Sequence, residues 1–319
     1  MIFIYFLKER INITVNNKIT VTGANKVFLL VAVVNIIYSF AVGIAFPSIL
    51  DNNMLLLLIM IQFYCVLFPS LFYMIGNKIN IKETLRFNSP GLLPSFLIVL
   101  MSGPAFYTAS ALNSIVYYIL QFIGDGPEGS SIPVPQNLEE VILSIVVIAV
   151  APALCEEILH RGILLKAYEY RGTMKAVVIS GIMFGFFHFD ITNLLGPIFL
   201  GVLFGYYVVR TNSIFAGTIA HFMNNFLATV LQYLMREVER DSDFYTLQDL
   251  SYTLILGAIS AVFVFLLLLC FKMATKERAT VRKSGTTILN DVCSIFSHWP
   301  VVVVLALYIV FTVLYLISL

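Results

Sequence analysis

The sequence predicts an all-α polytopic membrane protein, on three observations. Apolar residues make up 60% of the 319 and charged residues only 12%, with a mean hydropathy of +0.93, more apolar than an ordinary soluble globule. Apolar stretches recur along the chain at about the twenty residues a helix needs to cross roughly 30 Å of hydrocarbon. Lysine and arginine also alternate with acidic residues from loop to loop, as the cytoplasmic preference of basic residues requires.

About nine transmembrane helices follow, over 27–46, 54–75, 92–122, 141–165, 174–189, 194–209, 213–235, 252–273 and 300–319. The fifth and sixth are short for free-standing spans. With the N-terminus cytoplasmic, the inner loops carry Lys8, Arg10, Lys18 and Lys26, then Lys78, Lys82 and Arg86, then Lys166, Arg171 and Lys175, then Arg210, and finally Lys272, Lys276, Arg278, Arg282 and Lys283. The outer segments hold only Arg236 and Arg240 against Asp51, Asp125, Glu128, Glu139, Glu140, Asp190, Glu237, Glu239, Asp241, Asp243 and Asp249. An error of one span would destroy this alternation, so the C-terminus is expected outside.

Breakers fall in the expected loops, at Phe46-Pro47, Ser89-Pro90-Gly91 and 124–129. Gly103-Pro104 inside the third span predicts a kink. Trp299, beside His298, suits an interfacial anchor. The opening 1–7 is apolar but lacks a preceding basic residue and a following cleavage site, so no signal peptide is expected. Cys65, Cys155, Cys270 and Cys293 show no CxxC spacing, which argues against a thiolate metal site. A net charge of +1 gives no sign of nucleic-acid binding. Neither a repeat of 20–50 residues nor an inverted duplication is visible, which counts against a transporter.

The fourth span carries the most costly residues, Glu156-Glu157-Ile158-Leu159-His160-Arg161. Each charged side chain at the centre of a membrane helix costs roughly 2.5–3.5 kcal/mol on insertion scales, so three together imply a use. Glu157 and Arg161 stand four apart with the acid first, the spacing that pairs on one helix face. Glu156 points about 100° away and lacks that partner. His160 stands four after Glu156 and could join it. Two later spans add Phe184 and His188, then His221 and Asn225, the latter pair sharing a helix face. At 1.5 Å per residue, Glu156, His221 and His188 lie roughly 15, 12 and 21 Å from the cytoplasmic ends of their helices, near one depth. The glycine pairs Gly181/Gly185 and Gly201/Gly205 would let helices approach closely.

A free carboxylate and a neutral imidazole can hold and deprotonate water, while a histidine and an asparagine amide can donate to an oxyanion. Amide hydrolysis fits this set. Gly-x-Ser-x-Gly and HExxH are both absent.

These residues resemble the CPBP family, the CAAX proteases and bacteriocin-processing enzymes also called Abi. Its motifs EExxxR, FxxxH and HxxxN appear in order as Glu156-Glu157 with Arg161, Phe184 with His188, and His221 with Asn225. The resemblance implies an intramembrane endopeptidase with a four-helix catalytic core over 141–235, preceded by three accessory helices within 1–140 and followed by an outer loop and two helices within 236–319. It implies that Glu156 and His188 activate water, that His221 and Asn225 form the oxyanion hole, and that Glu157 and Arg161 support the site. No cofactor is the favoured expectation. If zinc is present, Glu156, His188 and His221 would be its ligands, with His160 a spare. The expected partners are a membrane-associated peptide or protein substrate and the lipid bilayer, without nucleic acid. Residue usage suggests a bacterial cell membrane. The rival reading from another class is a non-catalytic binding or immunity protein of the same fold, which would have no reason to keep all of these polar positions.

Overall fold

A computed structural model describes residues 19–46, 53–123, 132–237, 244–279, 281–283 and 286–319. Among these residues ten helices run α1 (Val21–Ala45), α2 (Met54–Gly76), α3 (Leu92–Leu120), α4 (Leu138–Arg171), α5 (Thr173–Phe186), α6 (Leu195–Thr211), α7 (Ile214–Leu234), α8 (Leu247–Ala274), α9 (Ile288–Phe296) and α10 (Trp299–Ser318). A single helical turn, Ile81–Thr84, lies between α2 and α3. Among the described residues there is no strand. The all-α expectation holds, and α3 runs unbroken through Pro104. Several residues of the predicted loops, including Lys8, Arg10, Lys18, Asp51, Asp125, Glu128, Glu239, Arg240, Asp241 and Asp243, lie outside the described residues, as do 1–7, Pro47 and 124–129.

Seven of these helices are long and apolar enough to cross a membrane. Helices α5 and α6 have only 14 and 17 residues, about 21 and 26 Å, short of the hydrocarbon thickness. The predicted fifth span overran: the helix ends at Phe186, and His188 sits in the turn that follows. Phe189 there adopts φ +50°, a left-handed conformation that stops the helix.

Helix starts follow the side chains available to cap them. Thr20 accepts the Gly23 N–H at 3.1 Å before α1, Asn137 accepts the Glu140 N–H at 3.0 Å before α4, and Thr246 and Asp249 form a reciprocal capping box at α8. The short hairpin of α5 and α6 is held by glycine. A Cβ on Gly181 would stand 2.7 Å from the Val202 backbone nitrogen, and one on Gly201 would stand 2.9 Å from the Gly181 Cα.

One end of the bundle gathers most of the described basic residues, and their donors tie the helix ends together. Arg86 pairs with Glu169, and Arg171 and Lys175 both pair with Asp291 of α9, at 2.8 and 2.6 Å. Arg278 donates to the Pro90 carbonyl at 2.8 Å, and Arg210 to Thr275 Oγ1 at 3.0 Å. At the same end Tyr168 donates to Asn25 at 2.9 Å, and the Asn25 amide donates to His298 Nδ1 at 3.1 Å, joining α4, α1 and the start of α10. With the Ile214 N–H donating to the Arg86 carbonyl at 3.3 Å, these contacts collect the N-terminal ends of α1, α3, α5, α7 and α10 with the C-terminal ends of α4, α6 and α8, so these crossing helices alternate in direction.

Candidate active site

Helix α4 is not a regular α-helix. Ile145–Val150 and Ile158–Leu164 are wound as π-helix, and so is Ile61–Leu67 of α2. Such stretches recur at functional sites because widening the turn re-aims side chains and loosens the carbonyl ladder. Pro152 adds to this, having no N–H for the Ile148 carbonyl four residues back. Asn225 Nδ2 of α7 donates to that carbonyl at 2.8 Å. A second N–H remains on the same nitrogen. Asn224 donates to Asn225 Oδ1 at 3.0 Å and fixes which way the amide points.

The EExxxR residues divide into two roles. Glu157 and Arg161 are 0% and 1% exposed and pair at 3.1 Å, as their spacing predicts. The guanidinium lies 4.6 Å from the Phe184 ring centre and 5.5 Å from that of Phe204, and donates to the Gly201 carbonyl at 3.3 Å. Glu157 Oε1 also meets His221 Nδ1 at 3.1 Å, a contact that places the Nδ1 proton on His221 because a carboxylate paired with Arg161 only accepts. The approach of α7 to Glu157 requires glycine: a Cβ on Gly217 would stand 2.5 Å from Glu157 Oε2.

Glu156 faces the other way, into a cavity of about 460 Å³ that His188, His221 and Asn225 also line. Its Oε2 lies 4.0 Å from His221 Nε2 and has no hydrogen-bond partner among the described residues. Its Oε1 accepts from Gln62 Nε2 at 2.7 Å. His188 is exposed to this space, and its Nδ1 donates to the Phe184 carbonyl at 2.8 Å, so that in the neutral ring the lone pair is on Nε2.

His160 does not join this group. Its ring is fully enclosed, with edge contacts to Phe28, Phe184 and Phe187 at 5.0–6.0 Å between centres. Its Nδ1 donates to the Glu156 backbone carbonyl at 2.9 Å. The four-residue spacing that suggested a partnership with the Glu156 side chain was used for the backbone instead. Among the described residues no three His, Cys, Asp or Glu side chains are gathered as a metal's donor set.

Gln62 escaped the sequence reading, although a glutamine inside the apolar run 54–75 is itself a signal. Asn224, Asn113 and Asn193 on the cavity wall were missed likewise. Gln62 and Asn113 belong to helices outside the motif-bearing core, and no spacing rule connects them to it.

Residues 138–227 match the family model described as type II CAAX prenyl endopeptidase Rce1-like. The chain is similar to the protein named "Putative membrane peptidase YdiL" of Bacillus subtilis (strain 168), 28% identical over 182 residues that cover 56% of this chain and 71% of the relative. No solved structure matches the chain at a significant level. The matched segment begins with the first turn of α4 and ends two residues past Asn225, so it contains all three motifs. The resemblance those motifs carry is therefore borne out by the match: residues 138–227 are similar to the Rce1-like CAAX prenyl endopeptidases of the CPBP family.

Proposed function

We propose that this chain is an intramembrane endopeptidase that hydrolyses a peptide bond of a membrane-associated polypeptide with water activated by Glu156. The family match and the relative's name support a membrane peptidase at that level. The observation that carries the mechanism is the single cavity on which Glu156, His188, His221 and Asn225 converge. Glu156 Oε2, which has no hydrogen-bond partner among the described residues, and His188 Nε2 offer acceptors to a water. Glu156 takes one proton as the water oxygen bonds to the carbonyl carbon. The carbonyl π pair moves onto oxygen, where the second N–H of Asn225 and His221 Nε2–H donate to it. As a donor, His221 carries a proton on both nitrogens, with the Glu157 and Glu156 carboxylates at 3.1 and 4.0 Å to balance that charge. Collapse of the tetrahedral intermediate breaks the C–N bond, and the proton held by Glu156 passes to the leaving nitrogen. Glu157 and Arg161 orient His221 rather than touch substrate.

A second reading has one observation in its favour. A histidine that donates Nδ1–H to a carboxylate, as His221 does to Glu157, is arranged as metal-bound histidines commonly are. The zinc reading would use Glu156, His188 and His221, which are not gathered as a donor set among the described residues and would have to draw together, and it forgoes His221 as an oxyanion donor.

The test compares membrane peptides from cells carrying the wild-type protein with those from cells carrying Glu156→Gln at equal abundance. Fragments present only with the wild type are expected. Identical peptide profiles would refute the protease reading and leave a binding or immunity role. Stoichiometric zinc in the purified protein, lost together with cleavage on chelation and restored with it, would replace the glutamate mechanism by the metal one.

A further inference from the structure

The candidate site is closed toward one end of the bundle and leads out toward the other. Below Glu156, α4 is sealed: His160, Ile163, Leu164, Leu165 and Tyr168 are all 0% exposed. The basic end lies beyond this plug. In the opposite direction the cavity widens, because Ser110, Asn113, Ile132 and Asn193 line both it and a second cavity of about 1070 Å³. The short α5–α6 hairpin explains the shape. It falls short of the hydrocarbon thickness, and its turn, carrying Asp190 and Asn193, forms a wall of the wider cavity instead of reaching the far interface.

Charge assigns a membrane side to each end. Basic residues accumulate on the cytoplasmic face, and here they gather at the sealed end. Charge also selects an occupant. No lysine or arginine lines either cavity among the described residues; Glu156 and Asp190 are the acids, and asparagine and glutamine amides provide much of the remaining polar wall. Amide side chains offer a donor and an acceptor each, which matches a peptide backbone, whereas a carboxylate-bearing segment would meet no lysine or arginine there, the His221 charge being balanced by the Glu157 and Glu156 carboxylates.

We propose that the site is loaded from the extracytoplasmic side, with an extended peptide segment that is neutral or cationic and is held largely through its backbone. This rests on the endopeptidase reading for what happens to the segment, but not for how the segment arrives. The test uses the full-length protein in intact cells, with Cys270 and Cys293 replaced by serine. Cys65 and Cys155 are buried and can stay. Ser110→Cys on the shared wall and Ala228→Cys in the inner cavity are each treated with membrane-impermeant methanethiosulfonates, one cationic and one anionic; Lys82→Cys marks the cytoplasmic face.

Labelling of positions 110 and 228 without permeabilisation is expected, with the cationic reagent several-fold faster than the anionic one relative to their rates on a free thiol. Position 82 should label only after permeabilisation. Labelling of both cavity positions only from the cytoplasmic side, or of neither in folded protein, would overturn the proposal. So would an anionic preference. Because labelling reads access and not turnover, it can fail while the Glu156→Gln comparison succeeds, and the reverse.

Discussion

Replacing Glu157 by glutamine should destabilise the protein far more than the same change one residue earlier. The Glu157 carboxylate and the Arg161 guanidinium are both enclosed and 3.1 Å apart. Removing the anion leaves Arg161 with the faces of Phe184 and Phe204 and one carbonyl contact at 3.3 Å. Breaking a buried pair by removing one partner costs about 3–5 kcal/mol, which for a chain of this length lowers the unfolding midpoint by roughly 4–7 °C. His221 also loses the carboxylate that fixes its Nδ1 proton. Glu156→Gln leaves both Arg161 and His221 paired with Glu157, and the new amide can still accept from Gln62, so its midpoint should stay within about 2 °C of the wild type while cleavage is lost. The assay is thermal unfolding of detergent-purified variants, followed by exposure of the enclosed cysteines to a thiol-reactive fluorophore. Comparable losses in both variants would refute the division of labour between the two acids and leave a purely structural cluster.

Gln62→Leu should lower turnover roughly 10- to 100-fold at unchanged abundance, since a hydrogen bond to a charged group contributes about 1.5–3 kcal/mol; wild-type kinetics in this variant would show that α2 does not position Glu156. His221→Ala and Asn225→Ala should each reduce kcat about 10²- to 10³-fold with little change in KM, and a change confined to KM would move both residues from the oxyanion to substrate binding. At the basic end, hydrogen bonds from Lys175 and Arg171 hold the Asp291 carboxyl down from the usual 3.8 to about 2. A carboxyl depressed in the folded state contributes stability above its unfolded pKa and loses it as the pH falls through the folded one, so α9 should loosen between about pH 4 and 2. Fluorescence of Trp299, the single tryptophan, reads that loosening, and Asp291→Asn should display it already at neutral pH.

The sequence by itself determined the helical membrane fold and named four residues that the structure gathers on one cavity, Glu156, His188, His221 and Asn225. Burying a charge in hydrocarbon is so unfavourable that Glu156, Glu157 and Arg161 announce themselves in an apolar run, and helix periodicity correctly paired Glu157 with Arg161 across one turn. Periodicity failed where the helix changed its own geometry. His160 stood at the right spacing to meet Glu156, yet its proton went to the backbone and its ring into a cage of phenylalanines. His188 read as the last turn of a span and lies instead in a turn, because Phe189 enters a left-handed conformation that no composition rule foretells. Tertiary structure alone decided the partners drawn from distant segments: Gln62 beside Glu156, the Ile148 carbonyl beside Asn225, and the glycine at 217 that lets α7 reach Glu157. Local sequence cannot encode such contacts, since each depends on how two helices far apart in the chain pack together. The shape of the cavity belongs to the same class, for it follows from two helices too short to cross and from which neighbours flank them.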